Sequence, residues 1–263
     1  AKNIAAAMKE HKVVVNKSTV PVGTGDLVGR ILEENKPEGV TFDVVSCPEF
    51  LREGSAIADS LRPDRIIIGA SNSHAGMKLI ELYAPLERQM LICDVLSAEL
   101  IKYASNAFLA TKISFINAVA DLCEKVGADV VQVAKGMGAD RRIGKEFLYP
   151  GLGFGGSCFP KDTLSLLRVG EKYGVHLGII DAAIEINQRR AGDFIKKMED
   201  KMGGLEGKTI ALLGLAFKPD TDDLREAKSL EIVALLKEKG AKIRAYDPVA
   251  MEKTAALLGD GIV

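Results

Sequence analysis

The sequence lacks the patterns that mark metal sites and disulfide-rich folds. Its four cysteines form no C-x-x-C pair: Cys47, Cys93, Cys123 and Cys158. Its three histidines are not spaced with another histidine or a carboxylate as a metal motif requires: His11, His74 and His176. Neither a zinc site nor a disulfide framework is therefore predicted. We expect reduced thiols, no bound metal, and histidines in surface or packing roles.

The chain also lacks a charge imbalance and a long apolar run. It has 35 basic and 36 acidic residues and an isoelectric point near 6.4, so no strong field gathers nucleic acid or anionic lipid. No apolar run approaches the roughly 20 residues of a membrane helix. Residues 1–12 have no basic-then-apolar signal pattern. We expect no nucleic-acid or membrane partner, and the cytoplasm as the location.

What the sequence does contain is enough apolar material, 47% of 263 residues, for one large or two ordinary domains. Residues 1–95 alternate between apolar runs and helical patterns, which predicts β-α units and a parallel sheet. The predicted strands are 12–15, 42–46 and 65–69, and the predicted helices are 24–34 and 73–83. Ligands collect beyond the carboxyl ends of such strands, so chemistry is expected in segments 16–25 and 47–54.

A long helix is predicted next. Apolar residues recur at helical spacing from about residue 96 to residue 123, with Ser97 as the expected cap and Gly127 as the end. A helix of about 30 residues would be some 45 Å long, which favours a connection between two domains and a dimer interface. Further helices are predicted at 162–174 and 179–201.

A second α/β region begins after the turn residues 204–208. Its predicted elements are a strand at 209–213, a helix at 229–240 and a strand at 242–246. The expected architecture is therefore α/β, with two Rossmann-like parallel-sheet domains joined by the long helix and a helical dimerisation region. The expected domains are 1–95, 96–203 and 204–263.

A glycine-rich loop at 151–162 carries the clearest candidate nucleophile. It contains G-x-G-x-x-G at Gly151, Gly153 and Gly156. No strand precedes it and no acid closes a strand about 20 residues later, so it is not a dinucleotide fingerprint. Cys158 stands just ahead of a predicted helix, where the helix N-terminus and Lys161 favour the thiolate. A nucleophile and a buried small hydrophobic residue are equal alternatives for this cysteine.

Several polar residues accompany this loop. Asp162 is a candidate base or water-orienting group. Lys102 and Asn106 lie four residues apart on the long helix and share one face, where they would suit an oxyanion; a solvated helix face is the alternative. Glu49 and Glu53 follow the strand at 42–46 and suit acid-base work, with exposed loop charge as the alternative.

Two further segments suit phosphate or hydroxyl contacts. Segment 17–24 ends the first strand in hydroxyl groups that include Ser18 and Thr19. In the second α/β region, Gly214 follows a strand in the position of a phosphate turn, with Lys218 nearby and Asp247 closing the next strand. This pattern predicts a nucleotide half-site, without indicating which nucleotide.

Five segments in this order resemble the UDP-glucose/GDP-mannose dehydrogenase family, on its UDP-glucose 6-dehydrogenase branch. They are KSTVPVG at 17–23, PEFLREG at 48–54, NAFLA at 106–110, GFGGSCFPKD at 153–162 and GLAFKPDTDD at 214–223. The resemblance spans essentially the whole chain. It implies oxidation of UDP-glucose to UDP-glucuronate in four electrons, with NAD as cofactor and a cysteine-bound intermediate.

The same resemblance implies the residue roles. Cys158 would be the nucleophile, Lys102 and Asn106 would stabilise oxyanions, Asp162 and Thr19 would hold the water, and Glu49 and Glu53 would assist proton handling and substrate binding. The UDP-sugar contacts would be Phe50, Leu51, Arg52, Glu53, Lys102, Asn106, Arg142, Tyr149, Gly151, Gly153, Phe154, Gly155, Phe217 and Lys218. The cofactor side would include Ser18, Thr19, Glu53, Cys158, Lys161 and Arg225.

The resemblance also implies partners and limits. Arg142 would reach the substrate of a neighbouring subunit, which implies a homodimer or higher homo-oligomer through the long helix, and the second α/β domain would bind UDP rather than NAD. The NAD glycine fingerprint is expected upstream of residue 1, another strand is expected at 261–263, and the chain by itself is expected not to turn over. The alternatives are a GDP-mannose or UDP-N-acetylmannosamine dehydrogenase, a non-catalytic nucleotide-sugar-binding module, and a two-electron hydroxyacid dehydrogenase.

Overall fold

The structure, a computed structural model, describes residues 1–259 and has two compact units, Ala1–Ser105 and Asn106–Val263. The elements of the first unit are α1 (Lys2–Ala7), β1 (Lys12–Asn16), α2 (Thr24–Asn35), β2 (Phe42–Ser46), α3 (Ala56–Leu61), β3 (Ile66–Ala70), α4 (Ser73–Tyr83), a 3₁₀ turn (Ala84–Leu86), β4 (Met90–Cys93) and the first part of α5 (Val95–Val126). The three predicted strands and two predicted helices of this region are confirmed. β4 was not predicted.

The four strands form one sheet in the order β1-β2-β3-β4. The β1–β2 and β3–β4 pairs are parallel, but β2 and β3 pair antiparallel, so the expectation of a fully parallel sheet is wrong at that pair. A parallel neighbour needs a crossover that packs on the sheet, and α3, the helix between β2 and β3, buries no residue. The chain therefore returns without a crossover helix.

The antiparallel pair still brings the carboxyl ends of all four strands together. Asn16 lies opposite Ser46, Ser46 opposite Gly69, and Gly69 opposite Cys93. Each of these residues is at or next to the end of its strand. Because β1 and β2 are parallel and in register, the loops that follow them start side by side, and these loops carry most of the candidate chemistry of this unit.

Helices cover both faces of this sheet. Successive residues of a strand point to opposite faces, and in β2 Val44 packs in a cluster with Leu32 of α2, whereas Val45 packs in a cluster with Leu79 of α4. Both faces of β2 are thus buried at its centre, which explains why two adjacent residues, Val44 and Val45, are both apolar.

Helix α5 confirms the predicted long helix and spans 32 residues. Its predicted cap is wrong: the helix begins two residues before Ser97, and Asp94 accepts hydrogen bonds from the Ser97 backbone N–H at 2.8 Å and from the Ser97 hydroxyl at 2.6 Å. Gly127 follows the last residue with φ of 76°, as expected for a helix end. The first turn of α5 packs closely on β3, because a Cβ added to Gly69 would lie 2.4 Å from the Ala98 Cβ.

The second unit contains the rest of α5 and then α6 (Val130–Gly138), α7 (Phe159–Lys172), α8 (Gly178–Met202), β5 (Thr209–Leu213), α9 (Lys228–Glu238), β6 (Lys242–Tyr246) and α10 (Met251–Leu258). β5 and β6 are parallel, with Ala211 opposite Arg244. Leu205, Leu215, Ile232 and Leu236 are at the centre of its largest apolar core. The strand expected at 261–263 lies outside the described residues. Across residues 1–259, no helix has both the length and the apolar character needed to cross a membrane.

Candidate active site

The glycine-rich loop before α7 is pinned by side chains from two helices. Asn117 of α5 accepts a hydrogen bond from the Gly151 N–H at 2.7 Å, and Arg190 of α8 donates to the Gly151 carbonyl at 2.8 Å. Asn187 of α8 accepts from the Phe154 N–H at 2.7 Å and donates to the Phe154 carbonyl at 3.0 Å. Since Asn117 and Asn187 are buried, these bonds fix the loop in one position.

The glycines of this loop are required by close packing. A Cβ added to Gly155 would lie 2.1 Å from the carbonyl oxygen of Glu226, and a Cβ on Gly156 would lie 2.6 Å from the Phe217 ring. Gly156 also has φ of +78° and donates its N–H to the Arg225 carbonyl at 2.9 Å. The loop is thus seated against the segment that follows β5, and its glycine spacing serves this contact.

Cys158 lies at the start of α7, where it occupies the cap position ahead of Phe159. It is exposed, whereas Cys47 and Cys123 are buried and Cys93 is half-buried. The alternative of a buried packing residue is therefore wrong for Cys158. The helix begins around the cysteine, because its carbonyl accepts the first hydrogen bond of the helix, from the Asp162 N–H at 2.8 Å.

One turn into α7, Asp162 is buried to 1% exposure. Its carboxylate accepts a hydrogen bond from Asn106 Nδ2 of α5 at 2.6 Å and forms an ion pair with Lys161. Asp162 therefore contacts Asn106 through its carboxylate and Cys158 through the backbone bond at the start of α7. Lys161, which was expected to favour the thiolate, is paired with Asp162.

In the first unit, Lys102 is buried to 4% exposure, which contradicts the alternative of a solvated helix face. Its ammonium lies 3.8 Å from a carboxylate oxygen of Glu49 and 5.1 Å from the centre of the Phe50 ring. Arg65 also lies over this ring, with its guanidinium carbon 3.8 Å from the ring centre. Lys102, Glu49 and Phe50 thus form one cluster beside the carboxyl end of β2.

Lys102 also lines a small depression at the carboxyl ends of β1 and β2. The other lining residues are Asn16, Ser18, Thr19, Val20, Ser46, Pro48 and Glu99. Asn16 Nδ2 is a buried donor that has no partner among the residues the structure describes. The depression therefore offers hydroxyl groups and one unpaired amide donor to a polar ligand.

The charged residues of the loop after β2 differ in their hydrogen-bond partners and in their exposure. Glu49 accepts a hydrogen bond from the Leu51 N–H at 2.6 Å. Arg52 donates to Asp59 of α3, with one bond of 2.6 Å, and this bonding holds the pKa of Asp59 well below its usual range. Glu53 is exposed, and Leu51 is 37% exposed.

In the region after β5, the acid Asp247 serves the fold. It is 5% exposed and accepts hydrogen bonds from four backbone N–H groups, two in the turn after β5 and two after β6: those of Leu215, Ala216, Val249 and Ala250. Burial raises its pKa, but these donors outweigh burial and lower the pKa to about 2. Asp247 thus stabilises the turn that begins at Gly214. In the nucleotide half-site that the strand pattern predicts, its role is to hold this turn in place.

The same turn presents the predicted nucleotide contacts. Lys218 lies over the Phe217 ring, 5.7 Å from its centre, and Phe217 packs against Gly156. Arg225 forms a forked pair with Asp223, with bonds of 2.8 and 2.6 Å. The glycine loop and the turn after β5 therefore form one surface within the second unit.

Two predicted substrate residues project from the protein surface. Arg142 has an 87% exposed side chain, which pairs with Asp140 through a contact of 2.5 Å. Tyr149 is 63% exposed, and its hydroxyl donates to Glu146 at 3.3 Å. Neither side chain joins the clusters described above.

Sequence reasoning missed four residues that position the site. Asn117, Asn187 and Arg190 hold the glycine loop, and Glu99 accepts hydrogen bonds from Gly23 and Gly25 at the start of α2. All four are on helices, and for the three buried ones, Asn117, Asn187 and Glu99, an isolated polar residue at a buried position is the only signal that sequence could offer.

Three domain models of one family match the chain. The NAD binding domain of the UDP-glucose/GDP-mannose dehydrogenase family matches residues 1–87, its central domain matches 96–189, and its UDP binding domain matches 211–263. Among curated relatives, UDP-glucose 6-dehydrogenase TuaD of Bacillus subtilis is 49% identical and the UDP-glucose 6-dehydrogenase of Rhizobium meliloti is 47% identical, covering 100% and 98% of this chain.

A solved structure agrees with these matches. The UDP-glucose dehydrogenase from the hyperthermophilic archaeon Pyrobaculum islandicum is 46% identical with a TM-score of 0.93, over 100% of this chain and 60% of its own. The UDP-D-ManNAc dehydrogenase of Pyrococcus horikoshii is more distant, at 29% identity and a TM-score of 0.79, over 90% of this chain and 57% of its own. The chain spans 57% and 60% of the lengths of the two curated relatives named above.

Proposed function

The chain belongs to the UDP-glucose/GDP-mannose dehydrogenase family, and we propose that it oxidises UDP-glucose to UDP-glucuronate through Cys158. The observation that carries the proposal is the setting of this thiol. Cys158 is exposed at the first turn of α7, one turn ahead of a buried Asp162 that Asn106 holds in place. A binding module needs no such thiol, and neither does a two-electron hydroxyacid dehydrogenase.

The proposed chemistry has three steps. In the first, the C6 alcohol loses a hydride and a proton and becomes an aldehyde. In the second, the Cys158 sulfur bonds to the aldehyde carbon, and the resulting thiohemiacetal loses a hydride and a proton to give a thioester. In the third, water adds to the thioester, the carbon–sulfur bond breaks, and the carboxylate and the thiol are released. Covalent capture keeps the aldehyde from escaping between the two oxidations.

The polar residues have roles that match the charge changes. Lys102 and Asn106 lie one turn apart on α5 and would donate to the oxyanions that form at C6. Asp162 and Thr19 would hold the attacking water. Glu49 would take part in proton handling beside Lys102, and Glu53 would bind the sugar.

UDP-sugar binding is proposed for the surface shared by the glycine loop and the turn after β5. Phe217 and Lys218 present an aromatic face and a cation to the uracil and the diphosphate. The loop offers close backbone contact, since its glycines leave no side chain in the way. The remaining proposed contacts are Phe50, Leu51, Arg52, Tyr149, Gly151, Gly153, Phe154 and Gly155.

We propose that NAD fits against the depression at the carboxyl end of β1. The fit rests on the buried and unpaired Asn16 Nδ2 donor beside Ser18 and Thr19, which a polar ligand would satisfy. Ser18, Thr19, Glu53, Cys158, Lys161 and Arg225 would contact the cofactor. When bound, NAD accepts the hydride of each oxidation. A nucleotide cofactor and a reduced thiol both favour the cytoplasm as the location.

A homodimer through α5 is the proposed assembly. Three apolar residues at intervals of seven on this helix are exposed: Phe108 at 65%, Phe115 at 50% and Leu122 at 61%. Spacing by seven places them on one face, which a second copy would bury. Arg142 would then reach the partner's substrate, and residues 1–95, 96–203 and 204–263 would be the NAD, dimerisation and UDP domains.

The experiment compares substrates on the full-length gene product with NAD. We expect NADH formation with UDP-glucose and at least tenfold less with GDP-mannose or UDP-N-acetylmannosamine. Cys158→Ser should abolish steady-state turnover and leave UDP-glucose binding by calorimetry nearly unchanged, because a neutral hydroxyl is a poor nucleophile. Cys93→Ser is the matched control and should keep activity. Wild-type turnover in Cys158→Ser would contradict the proposal.

A further inference from the structure

Glu99 is a buried acid on α5 that the chemistry proposed above does not use. It is 2% exposed and lies three residues before Lys102 on the same helix. Its carboxylate accepts three hydrogen bonds: from the Gly23 N–H at 2.7 Å, from the Gly25 N–H at 2.8 Å and from the Ser46 hydroxyl at 3.1 Å. These partners come from the start of α2 and from the end of β2.

Two of these bonds cap a helix that has no cap of its own. The cap position of α2 is Gly23, which has φ of 93° and no side chain to accept the first N–H groups of the helix. Glu99 accepts the N–H of this residue and the N–H of Gly25, so a residue about 75 positions away in sequence satisfies them. An acid at a helix N-terminus also matches the helix dipole.

The start of α2 packs so closely on the start of α5 that the two helices fix each other's position. A Cβ added to Gly25 would lie 2.4 Å from Val95 Cγ1 and 3.3 Å from Glu99 Oε1. The loop that carries Ser18 and Thr19 ends at Gly23, and Ser46 directly precedes the loop that carries Glu49. Glu99 therefore ties both loops to the helix that bears Lys102.

We propose that Glu99 is a positioning residue that places Thr19 and Glu49 against Lys102 for the proposed oxidation. The role rests on the proposed function. A carboxylate suits it because every partner is a donor: Oε1 accepts from Gly25 and Ser46, and Oε2 accepts from Gly23. A glutamine in either orientation turns its amide N–H₂ toward one backbone N–H, which leaves a buried donor unsatisfied.

The test is Glu99→Gln in the full-length gene product, with Glu81→Gln as control. Glu81 is an exposed acid on α4, so the control removes the same charge without removing a cap. We measure hydrogen exchange of the segment 20–27, and kcat and KM for UDP-glucose well below the unfolding temperature. In Glu99→Gln, exchange should rise by about tenfold or more, since one cap bond is lost.

The kinetic readout separates positioning from stability. We expect kcat to fall by roughly tenfold to a hundredfold, while KM changes by less than about threefold, because the proposed UDP contacts do not involve Glu99. The Glu81→Gln control should match the parent in both readouts. Faster exchange with an unchanged kcat would make Glu99 a purely structural cap and overturn the proposal. An unchanged exchange rate with an unchanged kcat would overturn it as well.

A second variant keeps the test decisive if Glu99→Gln does not fold. Ser46→Ala removes one of the three bonds and leaves both backbone bonds intact, so it should fold and lower kcat by about twofold to tenfold at constant KM. An unchanged kcat in Ser46→Ala would count against the role. If the parent protein oxidises no UDP-glucose, the proposed function itself fails, whereas an active parent with unaffected variants overturns only the role of Glu99.

Discussion

Replacing Asn187 by alanine should loosen the glycine loop that leads to Cys158. Asn187 is 8% exposed and satisfies both the N–H and the carbonyl of Phe154. Alanine removes both bonds and leaves two backbone groups in a site that is closed to most water. Cys158 follows Phe154 by four residues, so the effect reaches the nucleophile.

The magnitude follows from the two groups left unpaired. Each buried backbone group without a partner costs about 1–3 kcal/mol, and partial access of water reduces the sum. We expect a loss of about 2–4 kcal/mol in the free energy of unfolding. Asn187→Asp should cost a similar amount, because a carboxylate still accepts from the N–H but faces the carbonyl oxygen with a negative charge.

The assay is urea unfolding of the full-length gene product. Free energies of unfolding are compared between variants for which the slope of the free energy against urea concentration is unchanged. Gln188→Ala is the control, since Gln188 is an exposed neighbour on α8 and its removal should change stability by less than about 0.5 kcal/mol. The rate at which iodoacetamide alkylates Cys158 should also differ between Asn187→Ala and the parent. A variant as stable as the control, with unchanged alkylation, would refute the assigned role of Asn187.

Three further outcomes follow from the site. Gly155→Ala should destabilise the protein and weaken UDP-glucose binding measured by calorimetry, because its Cβ would lie 2.1 Å from the Glu226 carbonyl oxygen; wild-type binding would refute the seating of the loop. Asp247 has a pKa lowered from 3.8 to about 2, so its contribution to stability is present above about pH 4 and is lost as pH falls toward 2. Urea midpoints between about pH 5 and pH 3 should therefore fall more steeply in the parent than in Asp247→Asn, and equal slopes would contradict this. Lys102→Ala should lower kcat by on the order of a hundredfold if Lys102 is an oxyanion donor, and steady-state rates near the parent's would exclude that role.

Much of the fold could be predicted from local pattern alone. The strands β1, β2 and β5 contain apolar runs, β6 alternates charged and apolar residues, and α5 has helical periodicity, so their sequences are sufficient to indicate them. The strand β4 was missed because it has only four residues, fewer than the roughly five or six of an average strand. The antiparallel pairing of β2 with β3 could not be predicted, because it depends on whether α3 packs on the sheet.

The candidate site also has features that could be predicted from local sequence and features that could not. The position of Cys158 before a helix and the one-turn spacing of Lys102 and Asn106 are local features, and the family resemblance supplies their roles. The anchors of the loops are not local: Asn117 and Asn187 lie 34 and 33 residues from the groups that they bind, and Glu99 lies 74 residues from Gly25. Contacts at such separations arise only when the chain is folded.

The central claim is that one thiol carries the sugar through both oxidations. Its most direct test is the ratio of NADH formed to UDP-glucose consumed, measured with limiting sugar in the full-length gene product. A Cys158 thioester predicts two NADH for each UDP-glucose, with UDP-glucuronate as the product and no free aldehyde. One NADH for each sugar, with the free aldehyde accumulating, would contradict the claim.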